Sequence, residues 1–151
     1  MRATDARLFL RDEELDRGAF LILAAERRLG AAIATAARAL DLGRSEVDIL
    51  LGIHATPGVT VTDLRERLGM TVPTFARLLG QLDRRGFVRK TPSGRDGRRR
   101  NLYVSQEALT VIDPVIAALR EVLRPVYRES GGDVVSGAVD LLSAVAEPDN
   151  G

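Results

Sequence analysis

The 151 residues carry 22 basic and 21 acidic side chains, a net charge of +1, and 45% are apolar, which sizes the chain for one cored domain and excludes a disordered or fibrous protein. No cysteine is present, which excludes disulfides, cysteine-ligated zinc, iron–sulfur clusters and thiol redox chemistry. Apolar runs such as 18–25 and 29–37 are far too short to span a bilayer and no signal peptide is visible, so a cytoplasmic protein with no membrane partner is expected.

In chain order, positions 15, 19, 22, 26, 29, 33, 36 and 40 step alternately by four and three residues and read Leu, Ala, Ile, Glu, Leu, Ile, Ala, Leu. This pattern predicts a heptad-like seam on a helix of about 28 residues, about 40 Å long. A second row, Phe20, Leu23, Ala34 and Ala37, widens the apolar face, so the helix needs more than one neighbour. Ser45, with Asp48 three residues on, predicts the start of a second helix that ends near His54. Thr60 and Asp63 repeat that device ahead of Leu64 and Leu68, and Gly69 stands where a C-terminal cap belongs. Thr71 opens a fourth helix with an expected inner stripe of Val72, Phe75, Ala76, Leu79 and Leu82, and Gly86 stops it. Residues 87–91 and 100–104 are rich in strand formers, with Pro92, Ser93, Gly94, Asp96 and Gly97 as turn residues between them. Ser105 caps a further helix to about Glu129, with bends expected near Pro114 and Pro125. After Gly131 and Gly132, Asp133 opens a last helix with Val135, Val139, Leu142 and Ala146 on one side. The expected fold is mainly α, with a two-stranded β wing and long helices at both ends.

Charge is focused although the total is near zero. Residues 84–100 hold eight basic side chains (Arg84, Arg85, Arg89, Lys90, Arg95, Arg98, Arg99, Arg100) against Asp96 alone, so this stretch is +7 and the rest of the chain −6. Lys90 is the single lysine, so the abundance of arginine says little and its clustering says more. A basic run alone is a solvated face; on a glycine-bounded hairpin behind a helix pair it is the footprint of polyanion binding. Two helices joined by Gly69-Met70-Thr71, then a strand, a basic loop and a returning strand, follow the order of a winged helix-turn-helix. With the apolar stripe removed, the second helix of the pair presents Thr71, Pro73, Thr74, Arg77, Gly80, Gln81 and Arg84. Hydroxyls at a helix N-terminus suit phosphate oxygens. Arg77 and Gln81, one turn apart, are of the types that pair with guanine and adenine edges. Phe75, Phe87 and Tyr103 are spaced for core packing rather than base stacking.

The stretches TVPTFARLLGQLDRRGFVRK at 71–90 and GRDGRRRNLYVS at 94–105 resemble the MarR family of bacterial transcription regulators, and the resemblance extends over 15–146. It implies a homodimer built through the first, fifth and sixth helices, with a pseudopalindromic double-stranded DNA operator as partner. It implies that Asp96, Gly97 and Arg98 form the wing motif that places Arg98 in the minor groove, with Arg95 and Arg99 beside it. Ala76, Gly80 and Val47 depart from the family pattern, which commonly has Ser or Thr, an acid and an aromatic there. Repression by promoter occupancy, modulated by a small aromatic or phenolic effector, is the behaviour the resemblance implies. The organisation expected is a dimerisation helix in 1–44, a DNA-binding domain in 45–105, dimerisation helices in 106–147 and a tail in 148–151.

Two polar residues are candidates for an effector pocket. Glu26 interrupts the apolar seam; either the seam opens to water there, or the carboxylate is buried and paired with an arginine. His54, the only histidine, falls at a helix end, where capping competes with ligand contact. No nucleophile–base grouping, phosphate-binding glycine loop or metal-ligand spacing is found, so neither an enzyme, nor a cofactor, nor a bound metal is expected. Two rival functions stay open. One is a winged-helix module that binds proteins, which has no need of such a basic hairpin. The other is a nucleoid-type DNA binder with a small ratio of specific to non-specific affinity.

Overall fold

The computed structural model describes residues 11–94 and 96–147, with the side chains of 93 and 96–98 outside the description. Helix α1, Asp12–Ala36, opens on Asp12, Glu13 and Glu14, the end at which the helix dipole favours negative charge. It ends before the expected Leu40, because Ala37–Ala39 tighten into a 3-10 turn and Leu40 is already extended. Helix α2, Arg44–Ala55, is capped differently from the expected Ser45–Asp48 pairing. Arg44 is its first residue, so the third is Glu46, whose carboxylate accepts from the Gly43 N–H at 2.8 Å. Asp48 is engaged by Arg44 Nε at 2.8 Å.

Helices α3, Val61–Arg67, and α4, Val72–Arg84, start as expected. Thr60 Oγ1 accepts from the Asp63 N–H at 3.1 Å, and Thr71 Oγ1 accepts from the Thr74 N–H at 3.4 Å. Gly69 turns the chain between them at φ +61°, a conformation that strains any residue with a Cβ. Strands β1, Val88–Ser93, and β2, Asp96–Val104, pair antiparallel with Val88 opposite Val104 and Thr91 opposite Asn101. Both run further than expected, and β1 includes Pro92, which a two-stranded ribbon tolerates because one side of each strand is free. Residues ahead of α3 add a short third rung: Gly58 donates to the Leu102 carbonyl at 2.8 Å and Leu102 to the Val59 carbonyl at 2.9 Å.

Helix α5, Gln106–Ser130, is capped by Ser105, whose Oγ accepts from the Ala108 N–H at 3.1 Å, and continues through Pro114 and Pro125. Helix α6, Gly132–Ala146, begins one residue before Asp133, after Gly131 at φ +79°. The result is a mainly α fold with one two-stranded sheet. No helix among the described residues is long and apolar enough to cross a membrane.

The main core gathers Ile49, Leu50 and Ile53 from α2, Leu64 from α3, Phe75, Leu79 and Leu82 from α4, Leu102 from β2 and Ile112 from α5. Gly52 lets α3 approach α2 closely, since a Cβ there would overlap Leu64 Cδ1. A second, smaller cluster of Ile33, Val47 and Val115 ties α1 to α2 and α5. Ile33 is therefore a core residue of its own chain, with Ala36 and Leu40 packed beside it, whereas the start of the seam is not. Leu15, Phe20, Leu21 and Leu23 are exposed, as are Val139, Leu141, Leu142 and Val145, and α6 buries no residue at all.

Candidate nucleic-acid interface

Helix α4 is held on its inner face by Phe75, Leu78, Leu79 and Leu82. That stripe differs from the expected one: Leu78 is inside, whereas Val72 is 64% exposed and Ala76 is also exposed. The packing of α4 against α2 and β1 rotates the buried sector toward Leu78, and Val72 and Ala76 join the outer surface. Thr71, Pro73, Thr74, Arg77 and Arg84 are exposed on that surface, as expected. Thr71 and Thr74 are joined by a hydroxyl–hydroxyl hydrogen bond of 3.0 Å, in which Thr71 donates. Gln81 is half-buried, since it faces a cleft lined by Leu40, Leu42, Gly43, Glu46 and Arg85. Arg77 and Gln81 are thus consecutive turns of one helix with unequal access to a partner.

The basic run divides by what its members touch. Arg85 lies over the Phe87 ring at 4.7 Å and Arg89 over the Tyr103 ring at 4.9 Å. Lys90 Nζ is 3.1 Å from Asp83 Oδ2, which fastens β1 to the last turn of α4. Arg84, Arg99 and Arg100 are exposed. Arg99 and Arg100 edge a cleft of about 280 Å³ with Thr60, Thr62 and Asp63, so the wing and the start of α3 share one cationic edge. Arg95 lies outside the described residues, as do the side chains of Asp96 and Arg98. Phe75 and Phe87 are buried and Tyr103 is half-buried beneath Arg89, so these aromatics pack as expected.

A feature that sequence spacing missed is a third cleft, of about 480 Å³, between α3, α4 and the wing. Phe75 and Leu79 underlie it, Val72 and Ala76 flank it, and Arg65, Lys90 and Arg100 edge it. Arg65 is fixed there by hydrogen bonds to the Met70 carbonyl at 3.2 Å and to Glu66 at 2.8 Å.

The two candidate effector residues are separated. Glu26 is exposed on α1 and lines a pocket of about 450 Å³ with Ile22, Ala25, Leu29, Leu142 and Arg44. His54 is half-buried in the last turn of α2 and does not line that pocket. Arg44 reaches the Gly30 carbonyl at 3.5 Å as well as Asp48. The guanidinium and the Glu26 carboxylate both lie beside Gly30, without the direct pairing that one reading of Glu26 required. Among the described residues, no group of three or more His, Cys, Asp or Glu is arranged to hold a metal ion.

A helix pair with an exposed, cation-bearing second helix, followed by a basic hairpin, defines a winged helix-turn-helix DNA-binding protein. The model of the MarR family matches residues 40–99, from the connection between α1 and α2 into the wing. The HTH-type transcriptional regulator PetP of Rhodobacter capsulatus is 31% identical over 141 residues, covering 93% of this chain and 85% of its own. The chain belongs to the MarR family, and it is a transcriptional regulator rather than an enzyme. Solved structures agree on the fold. NadR in complex with 4-hydroxyphenylacetate superposes with a TM-score of 0.71 at 16% identity, over 84% of this chain and 90% of its own. PcaV from Streptomyces coelicolor, in complex with its natural ligand, superposes at 0.50 with 27% identity, over 81% and 89%.

Proposed function

We propose that the protein is a homodimer that represses transcription by occupying a pseudopalindromic operator. One observation carries the DNA half of this reading: α4 presents Thr71, Pro73, Thr74, Arg77 and Arg84 beside a wing that exposes Arg99 and Arg100. Hydroxyls and guanidinium groups on one surface are donors of the kind that phosphates and guanine edges require. Arg95, Asp96 and Arg98 belong to the same reading through the wing motif. The dimer half rests on α1 and α6, whose exposed Phe20, Leu23, Leu141 and Val145 form an apolar surface that a second copy would cover. In this reading 1–44 and 106–147 serve dimerisation, 45–105 reads DNA, and 148–151 is a tail.

The effector is a small aromatic or phenolic acid held in the Glu26–Arg44 pocket. Its volume of about 450 Å³ suits such a ligand, its walls are apolar, and Arg44 offers a carboxylate or phenolate partner. NadR, which shares the fold, carries a ligand of that class. Footprinting on the DNA upstream of the protein's own gene, with sedimentation in parallel, tests both halves. A protected inverted repeat bound by a dimer is expected. Unstructured protection of all DNA would favour the nucleoid-type rival, and no protection would favour the protein-binding module.

A further inference from the structure

We propose that Val72 and Ala76 form an apolar subsite that reads the C5-methyl group of thymine, and so set part of the operator preference. The inference rests on the DNA-reading role proposed above. Val72 is 64% exposed at the first helical position of α4, and Ala76 is exposed one turn later. At 100° per residue the two lie about 40° apart around the helix, while Arg77 lies about 100° beyond Ala76. The outer surface of α4 therefore has a polar sector at Arg77 and an apolar sector on the wing side.

Exposed single apolar residues are ordinary on protein surfaces. This pair differs in its surroundings, because both residues flank the cleft edged by Arg65, Lys90 and Arg100, and among the described residues no acid lines that cleft. Arg65 is held in place by the Met70 carbonyl and paired with Glu66, and Lys90 is paired with Asp83, with both acids outside the cleft lining. An apolar floor inside a ring of cations matches a polyanion that also carries an apolar group. In the major groove that group is the thymine methyl, which side chains such as alanine contact directly. An apolar protein helix would gain nothing from three cations at the rim.

The test begins by selecting preferred duplexes from a random pool with the full-length protein. Each thymine of the selected site is then replaced singly by deoxyuridine, which removes only the methyl. Burying one methyl-sized group corresponds to about a fourfold change in affinity. At one thymine per half-site, deoxyuridine is expected to weaken binding by about that factor. Val72→Ala is expected to lose affinity for the thymine duplex and to bind the thymine and deoxyuridine duplexes equally. Arg77→Ala is expected to keep the thymine preference. Thermal melting checks that Val72→Ala is folded, as its exposure predicts. Insensitivity of the wild-type protein to every deoxyuridine, or equal sensitivity in Val72→Ala, overturns the subsite and leaves DNA reading intact. Failure to select any duplex overturns both.

Discussion

Arg85, the C-terminal cap residue of α4, donates from Nη1 to the backbone carbonyl of Asp41 at 2.7 Å, across 44 positions of sequence. The same guanidinium lies over the Phe87 ring at 4.7 Å, so it is fixed at both ends. Asp41 belongs to the connection between α1 and α2. One side chain thus ties the end of α4 to the segment that follows the long N-terminal helix. The carboxylate of Asp41, at 3.9 Å and fully exposed, adds little to this link.

Arg85→Ala should lower operator affinity by loosening α4, without removing a phosphate contact. Titration against salt separates these effects. An unchanged slope of log K against log salt with a reduced intercept is expected, whereas a phosphate contact would lower the slope by about one per protomer. Arg85→Lys should not restore affinity, because an ammonium cannot both stack on Phe87 and keep the fork geometry.

Charge placed on the exposed face of α1 should separate the protomers. Leu23 is 63% exposed in the single chain, so Leu23→Glu leaves each core intact. Burying that carboxylate unpaired in a dimer should raise the dissociation constant by more than about a hundredfold, as read by sedimentation. Ile33→Glu is the contrast. Ile33 is packed against Val47 and Val115 of its own chain, so this change should unfold the protomer.

Much of this architecture was legible because its signals are local. Thr60, Thr71 and Ser105 cap helices from three residues away, and Gly69 and Gly86 mark turns by the backbone angle they allow. What escaped was decided by contacts distant in sequence. Helical spacing admits either Val72 and Ala76 or Leu78 into the inner stripe of α4, and only the neighbouring elements choose Leu78. Gln81 reads as an outward polar residue until the α1–α2 connection closes over it. Arg44 carried no signal as a pocket residue, because its proximity to Glu26 depends on how α1 lies against α2. The apolar seam predicted a buried helix, yet it could not say that Ile33 faces its own chain while Leu23 does not.

Arg77→Ala should relax sequence preference at one base pair per half-site. A bidentate contact to guanine is worth about 1–3 kcal/mol of discrimination, which competition against single-base variants measures. Thr74→Ala should instead weaken binding on every sequence alike, since its hydroxyl is tied to Thr71 at the helix N-terminus, where phosphate is the available partner. Uniform weakening by Arg77→Ala would reassign it to the backbone.

Response to an aromatic acid should depend on Arg44. Arg44→Ala removes the one cation among the described residues lining the pocket and should weaken the response to 4-hydroxyphenylacetate by about tenfold or more. Operator affinity without effector should stay within about twofold, because Arg44 lines none of the clefts beside α4 and the wing and its pairing with Asp48 is exposed. Glu26→Gln should strengthen the response by removing a like charge beside an incoming carboxylate. An effector response unchanged in both variants would move the ligand elsewhere.

The wing arginines should divide into those that meet DNA and those that hold the hairpin. Arg99 and Arg100 are exposed along the edge shared with Thr60, Thr62 and Asp63. Each neutralised phosphate releases counterions, so its loss flattens the salt dependence of binding. Arg100→Ala should therefore lower the slope of log K against log salt by about two per dimer, one from each protomer, and should do so on any sequence. Arg99→Ala should act in the same way, and the double variant should show nearly the sum. Arg89 is the internal control: its guanidinium lies over Tyr103, whose hydroxyl packs near Gly58 at the base of the third rung. Arg89→Ala should lower the melting temperature more than it changes the slope. Equal slope changes for Arg89 and Arg100 would mean that wing charge acts as a diffuse field, and the division by contact would fail.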